Sequence, residues 1–246
     1  MSAYFEDNVF DILKKLDYRS TCSLLNPREK SISFLKDKSF IQLANLVETD
    51  ILLLTPKELV NKINNKNIKV LPSLEPISEL FIKIHNKINA NNDPIPNVIS
   101  VKADISKYSE IGIDGNRIIN TKDNLILRMK HMGNVIIEDG VRVESFSTIH
   151  RASLDSTIIR SNSTICSGVN IGHNCKIGHR VFIAPGVKIA GSVEIGDDCK
   201  VWQGSLIRNG IKICSGVEIG MGSVVTKNIN TPGLYYGSPC KMIREL

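Results

Sequence analysis

A six-residue repeat is the feature that most limits how this chain can fold. From residue 159 to residue 225 an aliphatic residue returns at every sixth position, and a small or β-branched residue follows four positions later in almost every repeat. A helix repeats every 3.6 residues and a flat strand every 2, so neither accounts for this period. A hexapeptide period is typical of a parallel β-helix, in which three short strands complete a coil. The aliphatic positions are Ile159, Ile165, Ile171, Ile177, Ile183, Ile189, Ile195, Val201, Ile207, Ile213, Ile219 and Val225.

Composition agrees with a soluble β-helix and excludes several other classes. Aromatic residues make up only 5% of the 246 residues, which suits a narrow prism filled with small aliphatic side chains. The net charge of +6 comes without a basic helix or a stacking platform, so we expect a phosphate-rich small ligand rather than a nucleic acid. An apolar run of about 18 residues and a secretory signal are both absent, which predicts a cytoplasmic protein without stable membrane insertion. Cys175 and Cys199 fall on inward positions and are predicted to be buried, reduced thiols.

The N-terminal part of the chain lacks the repeat and has a different organisation. Short apolar runs at 32–35, 51–54 and 68–71 alternate with polar segments, as in a small α/β domain. Thr55 and Pro56 follow the second run and predict a cap and a helix start. Residues 76–88 carry apolar side chains on one helical face. The sequence therefore predicts an α/β nucleotide-binding domain with a linker helix over 1–90, a linker over 91–98, a β-helix over 99–232 and a C-terminal acyl-donor tail over 233–246.

Two interruptions break the repeat before residue 159. Ile99, Ile105 and Ile111 open the β-helix, but residues 114–134 lose the period and are predicted to form a loop. The period resumes at residue 137, yet Ile149 and Ile159 are ten residues apart rather than six. We therefore expect four extra residues to protrude around 151–155. Protrusions from a rigid solenoid commonly build binding sites.

Three short runs within and beside the repeat are more specific than the period itself. They are His150-Arg151-Ala152-Ser153-Leu154-Asp155-Ser156-Thr157-Ile158-Ile159, Ile171-Gly172-His173-Asn174 and Ile189-Ala190-Gly191-Ser192. These runs resemble a known family, the UDP-3-O-acylglucosamine N-acyltransferases of lipid A synthesis. A fourth run, Ile32-Ser33-Phe34-Leu35-Lys36-Asp37-Lys38-Ser39-Phe40, resembles the uracil-binding segment of that family. The resemblance implies a left-handed parallel β-helix, a homotrimer with active sites between subunits, and a place in lipopolysaccharide or surface-glycan biosynthesis.

Departures from that family point to a different acyl donor. The solenoid is shorter than in the lipid enzyme, its helical extension after the solenoid is missing, and the run Arg208-Asn209-Gly210-Ile211 lacks the histidine that the family carries there. The tail Tyr236-Gly237-Ser238-Pro239-Cys240-Lys241-Met242-Ile243-Arg244 instead resembles that of CoA-dependent sugar and xenobiotic acetyltransferases. We therefore predict an N-acyltransferase that uses acetyl-CoA or another short acyl-CoA as co-substrate, with no bound cofactor. The acceptor would be an amino sugar linked to UDP or dTDP, and the alternative is the lipid A enzyme with an acyl carrier protein.

Acyl transfer from a thioester to an amine needs a base, an oxyanion donor and aligned substrates. His173 stands two positions after inward Ile171, so its ring should lie outside the prism, and an imidazole suits a general base near neutral pH. Gly191 follows 18 residues later, one full coil on, which places it beside His173. Its N–H can approach a thioester carbonyl because no side chain stands in the way. The resemblance gives these two residues the same roles.

Other candidate residues are assigned to the two substrates. Phe34 and Phe40 could sandwich a pyrimidine whose ring N–H is accepted by Asp37, although two phenylalanines beside aliphatic residues are as easily core. His150, Arg151 and Asn174 are further candidates for contacts to the nucleotide sugar. Exposed cations could meet the phosphates of CoA, with a solvated tail as the alternative. The acyl-donor residues are Gly191, Trp202, Lys227, Lys241 and Arg244.

Two other function classes remain open. A γ-class carbonic anhydrase would bind zinc through three histidines, but His150, His173 and His179 are spaced 23 and 6 residues apart and fall on different faces. We therefore predict no metal site. A non-catalytic scaffold would have no need for His173 and Gly191 to stand in register.

Overall fold

The computed structural model describes residues 13, 15–73 and 76–245, and the chain divides into two compact units. The first unit runs to Asp93 and also includes Asn116–Lys130. The second unit comprises Pro94–Gly115 and His131–Leu246. The chain therefore passes between the units three times.

The first unit contains a parallel four-stranded sheet with short helical connections. The strands lie side by side in chain order. Two short 3-10 helices, Lys38–Phe40 and Lys57–Lys62, and helix α1 (Ile41–Asn45) connect the later strands, and helix α2 (Ile77–Ile88) follows the last one. The strands are β1 (Ser20–Thr21), β2 (Ser31–Phe34), β3 (Ile51–Pro56) and β4 (Ile68–Ser73).

The three apolar runs all form strands, and α2 buries its apolar face through Leu80, Phe81 and Ile84. The predicted helix start after Thr55 is wrong in detail. β3 continues through Pro56, and only a 3-10 turn follows. No helix in the described residues is long and apolar enough to cross a lipid bilayer.

The second unit is a parallel β-helix with three faces, each built from strands stacked one coil apart. The first face comprises β5 (Val98–Ile99), β10 (Asn134–Ile137), β13 (Ser156–Ile159), β16 (Lys176–Ile177), β19 (Glu194–Ile195) and β22 (Lys212–Ile213). The second comprises β6 (Asp104–Ile105), β11 (Arg142–Val143), β14 (Thr164–Ile165), β17 (Phe182–Ile183), β20 (Lys200–Val201) and β23 (Val217–Ile219). The third comprises β7 (Glu110–Ile113), β12 (Thr148–His150), β15 (Asn170–Ile171), β18 (Lys188–Ile189), β21 (Leu206–Ile207) and β24 (Val224–Val225).

From residue 140 onward, most turns of the β-helix contain one residue with a positive φ angle. Such residues recur at six-residue steps, many of them Gly, Asn or Asp, which adopt the left-handed conformation at low cost. Phe146, Arg180 and Ser192 occupy the same slot with φ between 54° and 60°. The hexapeptide period thus combines one inward aliphatic residue with one left-handed corner.

The inward positions form one continuous core, as the period predicts. The twelve aliphatic residues at the sixfold positions from Ile159 to Val225 are no more than 3% exposed. Cys175 and Cys199 are buried, free thiols within this core. Burial raises the pKa of the Cys175 thiol to about 12 and that of Cys199 to about 11, so both stay protonated at neutral pH. The prediction of buried, reduced thiols is confirmed.

The extra residues at 151–155 do not protrude, contrary to the sequence prediction. Ile137 pairs with Ile159, which is 22 residues later rather than 18, so the four additional residues are present. Ala152 and Ser153, however, are completely buried. The backbone N–H groups of Met132 and Gly133 donate to the carbonyls of Ser153 and Ala152, and this segment covers the extra residues.

The second face continues beyond the last coil. β25 (Gly233–Tyr236) pairs in parallel with β23, and β26 (Lys241–Arg244) returns antiparallel to β25. All four residues of β26 are exposed. The segment assigned from sequence to the acyl donor is therefore a hairpin at the end of the β-helix.

The predicted loop over 114–134 contains a hairpin instead, which is a correction to the sequence analysis. β8 (Ile118–Asn120) pairs antiparallel with β9 (Ile126–Arg128). A lost hexapeptide period excludes further coils, but it does not exclude strands of another kind. The side chain of Asn86 on α2 donates to the carbonyl of Arg128 (2.8 Å) and accepts from the N–H of Lys130 (2.9 Å), so the hairpin belongs to the first unit.

His85 on α2 links this hairpin to the sheet. Its Nε2 donates to the carbonyl of Lys130 (2.8 Å), and its Nδ1 therefore accepts from the Thr21 hydroxyl (2.6 Å). The ring is completely buried, and this burial lowers its pKa below the ordinary value of 6.5. The neutral ring is thus the form that the fold requires.

We expect the first unit to lose stability as the pH falls below about 6.5. In that range His85 binds a proton in the unfolded chain but stays neutral in the folded chain, so the free energy of unfolding rises with pH. The full contribution of neutral His85 to stability is present above the unfolded-state pKa. One proton limits the slope to about 1.4 kcal/mol per pH unit. Melting temperatures of the wild type and of His85→Gln between pH 7.5 and 5 measure the effect. A constant separation between the two curves across this range would contradict the assignment.

Candidate active site

His173 and Gly191 occupy equivalent turn positions in successive coils. Each precedes a residue with positive φ, Asn174 in one turn and Ser192 in the next. The N–H of Ser192 donates to the carbonyl of His173 (2.8 Å), which stacks the two turns directly. The predicted register of His173 and Gly191 is therefore confirmed as geometry.

The absence of a side chain at Gly191 makes room for the His173 ring. A Cβ atom at Gly191 would lie 2.6 Å from His173 Nε2 and 2.7 Å from Cε1. The carbonyl of Gly191 accepts from the N–H of Gly210 (3.0 Å), whereas the Gly191 N–H donates to no acceptor among the described residues. His173 Nε2 and the backbone N–H of Gly191, for which the described residues supply no acceptor, thus lie at the same corner.

Asn174 determines which nitrogen of His173 carries the proton. The Oδ1 atom of Asn174 accepts from both the N–H (3.0 Å) and the hydroxyl (2.9 Å) of Ser153, so this atom is the amide oxygen. His173 Nδ1 lies 2.9 Å from the same oxygen and must donate to it. In the neutral ring Nε2 is then the acceptor, and it faces Gly191. The partner of His173 Nδ1 is therefore an amide oxygen.

A second histidine, His131, packs against His173. The two ring centroids are 5.3 Å apart with the rings at 61° to each other, an edge-to-face arrangement, and His131 is completely buried. Gly115 lies against both rings, since a Cβ there would be 2.9 Å from His131 Nε2 and 2.9 Å from His173 Cβ. The sequence analysis did not assign either residue to the site because both lie in the segment without a repeat, 114–134.

The residues assigned from sequence to the nucleotide sugar lie close to this corner but already have protein partners. His150 ends β12, and its Nδ1 donates to the carbonyl of Asp114 (2.9 Å). Arg151 donates through Nε to the carbonyl of Gly112 (2.5 Å) and lies 3.6 Å from the Asp114 carboxylate. Its side chain is 16% exposed. Asn174 supports His173 with the oxygen that a ligand would otherwise use.

The residues assigned to the acyl donor are more dispersed. Trp202 follows β20 at the corner between the second and third faces, where it packs edge-on against Phe182 (5.6 Å between centroids) and donates to Glu218 (2.6 Å). Lys227 follows β24 and is exposed. Lys241 and Arg244 are exposed on β26. Only Gly191 of this set adjoins His173.

The residues assigned from sequence to a pyrimidine base lie in the first unit. Phe34 ends β2 and packs on Phe81 with 4.5 Å between the centroids, while Phe40 is 49% exposed. The Asp37 carboxylate accepts from the N–H (2.9 Å) and hydroxyl (2.5 Å) of Ser39, which caps the following 3-10 helix. These hydrogen bonds lower the pKa of Asp37 and keep it ionised.

The described residues contain no group of three or more His, Cys, Asp or Glu side chains that could hold a metal ion. His179, the third histidine of the zinc hypothesis, stands on the next corner of the prism. There its Nδ1 lies 2.7 Å from the Ser161 hydroxyl.

Comparison with known proteins agrees with this geometry. The model of the family "Bacterial transferase hexapeptide (six repeats)" matches residues 156–191 and 192–227. A UDP-3-O-acylglucosamine N-acyltransferase of Campylobacter lari is 34% identical over 135 residues, which is 55% of this chain and 42% of that protein. The enzyme of the same name from Campylobacter jejuni subsp. doylei is 43% identical over 82 residues, which is 33% of this chain and 26% of that protein. The chain thus spans less than half the length of these relatives.

Solved structures add a likeness in fold. The Arabidopsis UDP-N-acetylglucosamine acyltransferase superimposes with a TM-score of 0.55 at 25% identity, covering 62% of this chain and 51% of that one. The UDP-N-acetylglucosamine O-acyltransferase of Moraxella catarrhalis gives a TM-score of 0.54 at 23% identity, over 59% and 55% of the two chains. The predicted fold class, a left-handed parallel β-helix beside a small α/β unit, is confirmed. The family model thus covers residues 156–227, and the relatives that the chain matches are named as acyltransferases.

Proposed function

We propose that this protein is an N-acyltransferase that moves an acyl group from a thioester to the amino group of a nucleotide-linked amino sugar. The observation that carries the proposal is the meeting of His173 Nε2, held as a hydrogen-bond acceptor, with Gly191, whose N–H has no acceptor among the described residues. A base and an oxyanion donor side by side are the two groups that acyl transfer requires.

The reaction follows from these two groups. The amine nitrogen attacks the thioester carbonyl while His173 Nε2 takes one of its protons. The N–H of Gly191 donates to the oxyanion that forms. When the tetrahedral intermediate collapses, the C–S bond breaks, the amide is released, and the proton on the imidazolium passes to the leaving thiolate. Asn174 Oδ1 accepts from Nδ1–H throughout (2.9 Å) and stabilises the positive charge that develops on the ring.

For the acceptor we propose an amino sugar linked to UDP or dTDP. Ligands of open parallel sheets bind beyond the carboxyl ends of the strands. Phe34 ends β2, and Asp37 and exposed Phe40 follow in the next connection. The relatives from Campylobacter are named for a UDP-linked glucosamine, which supports the uridine nucleotide. His150 and Arg151 adjoin the His173 corner and would meet the sugar.

For the donor we propose acetyl-CoA or another short acyl-CoA. Lys241 and Arg244 are exposed on β26, and Lys227 is exposed after β24, so these cations are free to meet the phosphates of CoA. The names of the relatives favour a second candidate, the N-acylation of UDP-3-O-acylglucosamine, for which the sequence resemblance implies an acyl carrier protein as donor. Both donors are thioesters and would use the same base.

We further propose a homotrimer that acts in the cytoplasm, in the assembly of surface glycans such as lipopolysaccharide. One corner of a prism encloses two substrates only when a neighbouring subunit covers it. Light scattering should therefore give about three times the chain mass of 27.2 kDa. A stable, active monomer would contradict the shared site.

The donor is tested by comparing acetyl-CoA, longer acyl-CoAs and acylated carrier protein in one assay. Release of free thiol is measured with UDP- and dTDP-linked amino sugars, and with the corresponding hydroxyl sugars as acceptor controls. We expect thiol release with the shortest acyl-CoA and an amino sugar only. Activity confined to the long-chain carrier-protein donor would replace this proposal with the second candidate.

A further inference from the structure

We propose that His131 is a positioning residue for His173: it fixes the orientation of the His173 ring so that Nε2 stays beside Gly191. The inference deepens the proposed function, because the orientation matters for turnover only if His173 is the base. The orientation itself is a property of the folded protein and can be measured without any substrate.

The His173 ring is restrained on two sides. Asn174 Oδ1 accepts from its Nδ1 (2.9 Å), which fixes one point of the ring. A hydrogen bond at one atom leaves the ring able to pivot about that atom through combined changes in its two side-chain torsions, and such a pivot moves Nε2. His131 meets the ring edge-to-face, with 5.3 Å between centroids. Gly115 lies against Cδ2, where its Cβ would be 3.0 Å away, so the second restraint is on the side of the ring away from Nδ1.

Both restraints are tied to the same buried residue, Ser153. Its N–H and hydroxyl donate to Asn174 Oδ1 (3.0 and 2.9 Å), and its carbonyl accepts from the N–H of Met132 (3.0 Å), the residue after His131. A closed path therefore runs from His173 through Asn174, Ser153 and Met132 to His131 and back to His173. Because Ser153 is completely buried, neither restraint can shift without the other.

Packing alone does not explain a histidine at position 131. The site is completely buried, and a leucine would fill it without removing two polar ring nitrogens from water. An imidazole instead presents a polarised C–H edge and a compact ring to its neighbour. Edge-to-face ring pairs contribute about 0.5–1.5 kcal/mol beyond the burial of their area, which is enough to favour one ring orientation several-fold.

The test combines kinetics with imidazole NMR of His131→Ala. The five histidines of the chain can be assigned by single substitution, and long-range nitrogen–proton spectra report the tautomer of each ring. In the wild type we expect His173 to carry its proton on Nδ1. In His131→Ala we expect the His173 signals to move toward the average of the two tautomers, and kcat to fall about 10-fold with KM unchanged.

Met129→Ala is the control, since it removes another buried side chain, 1% exposed, from the first unit. It should lower the melting temperature and leave the His173 signals in place.

Two further variants keep the test decisive if His131→Ala folds poorly. His131→Phe retains a ring edge and should restore most of kcat and the His173 signals. Gly115→Ala should displace them, because its Cβ would lie 2.9 Å from both histidines. Wild-type kcat together with unchanged His173 signals in folded His131→Ala or Gly115→Ala would overturn the proposal. If the wild type transfers no acyl group to any acceptor, the proposed function fails, and the NMR comparison still decides whether His131 positions His173.

Discussion

Replacing His173 with alanine should lower kcat by about 100-fold or more while the protein stays folded, since loss of a general base costs about 100- to 10,000-fold. Nε2 is the hydrogen-bond acceptor of the ring because Nδ1 donates to Asn174, and the three atoms nearest to a Cβ at Gly191 all belong to the His173 ring. Initial rates of thiol release, corrected for hydrolysis without acceptor, measure the effect. Binding of the acceptor, measured by calorimetry, should change little, because the ring acts mainly in the transition state.

His179→Ala is the matched control. His179 occupies the same turn slot one hexapeptide later, is partly exposed, and has its Nδ1 2.7 Å from the Ser161 hydroxyl. Its loss should cost about 1 kcal/mol of stability and leave turnover within about twofold of the wild type. Near wild-type turnover in folded His173→Ala, or an equal loss in both variants, would remove His173 from the role of base.

Gly191→Ala should be nearly as damaging, although it adds only a methyl group. The new Cβ would lie 2.6 Å from His173 Nε2 and 2.7 Å from Cε1, so the ring must move. Asn174 holds the ring at Nδ1 and His131 packs against it, which leaves it little room. Misplacing a reacting group by about 1 Å costs about 100-fold in rate, and we expect kcat to fall by at least that factor. The N–H group survives the substitution, so the loss is attributed to geometry.

Gly186→Ala serves as the control for adding a methyl group to a turn of the β-helix. No atom lies within 4 Å of the site of its Cβ, and its φ of +74° makes alanine strained there. This variant should therefore lose about 1–2 kcal/mol of stability without losing turnover, the reverse of Gly191→Ala. Wild-type turnover in Gly191→Ala would mean that His173 does not work beside Gly191.

The periodic part of the molecule could be predicted from sequence in unusual detail. A strict period of six fixes which residues point inward and which residues lie one coil apart, so the pairing of His173 with Gly191 follows from their separation of 18 residues. The corners also follow in part, because Asn174 and Asp198 are residue types that accept positive φ, whereas Phe146 and Arg180 in the same slot could not have been expected.

The rest could not be predicted because it depends on where non-periodic segments dock. His131 follows a hairpin that breaks the repeat, and no local rule relates it to His173, which lies 42 residues later. The four additional residues near Ser153 were correctly counted, but whether an insertion points to solvent or is covered depends on a distant segment. Asn174 lies beside His173, but it was proposed as a contact to the nucleotide sugar. Only the structure reveals that its side-chain oxygen already accepts hydrogen bonds from Ser153.

The division of the first unit into two stretches of sequence has a consequence for synthesis and for evolution. Residues 94–115, which form the first coil of the β-helix, are made before the hairpin at 116–130 that completes the first unit. At about 5–20 residues per second, α2 leaves the ribosome seconds before the partner of its Asn86 and His85 side chains exists. Folding of the two units is therefore interleaved during translation. For the same reason, recombination at a single breakpoint after Asp93 cannot carry the first unit intact into another protein, because its last strands would be left behind in the β-helix gene segment.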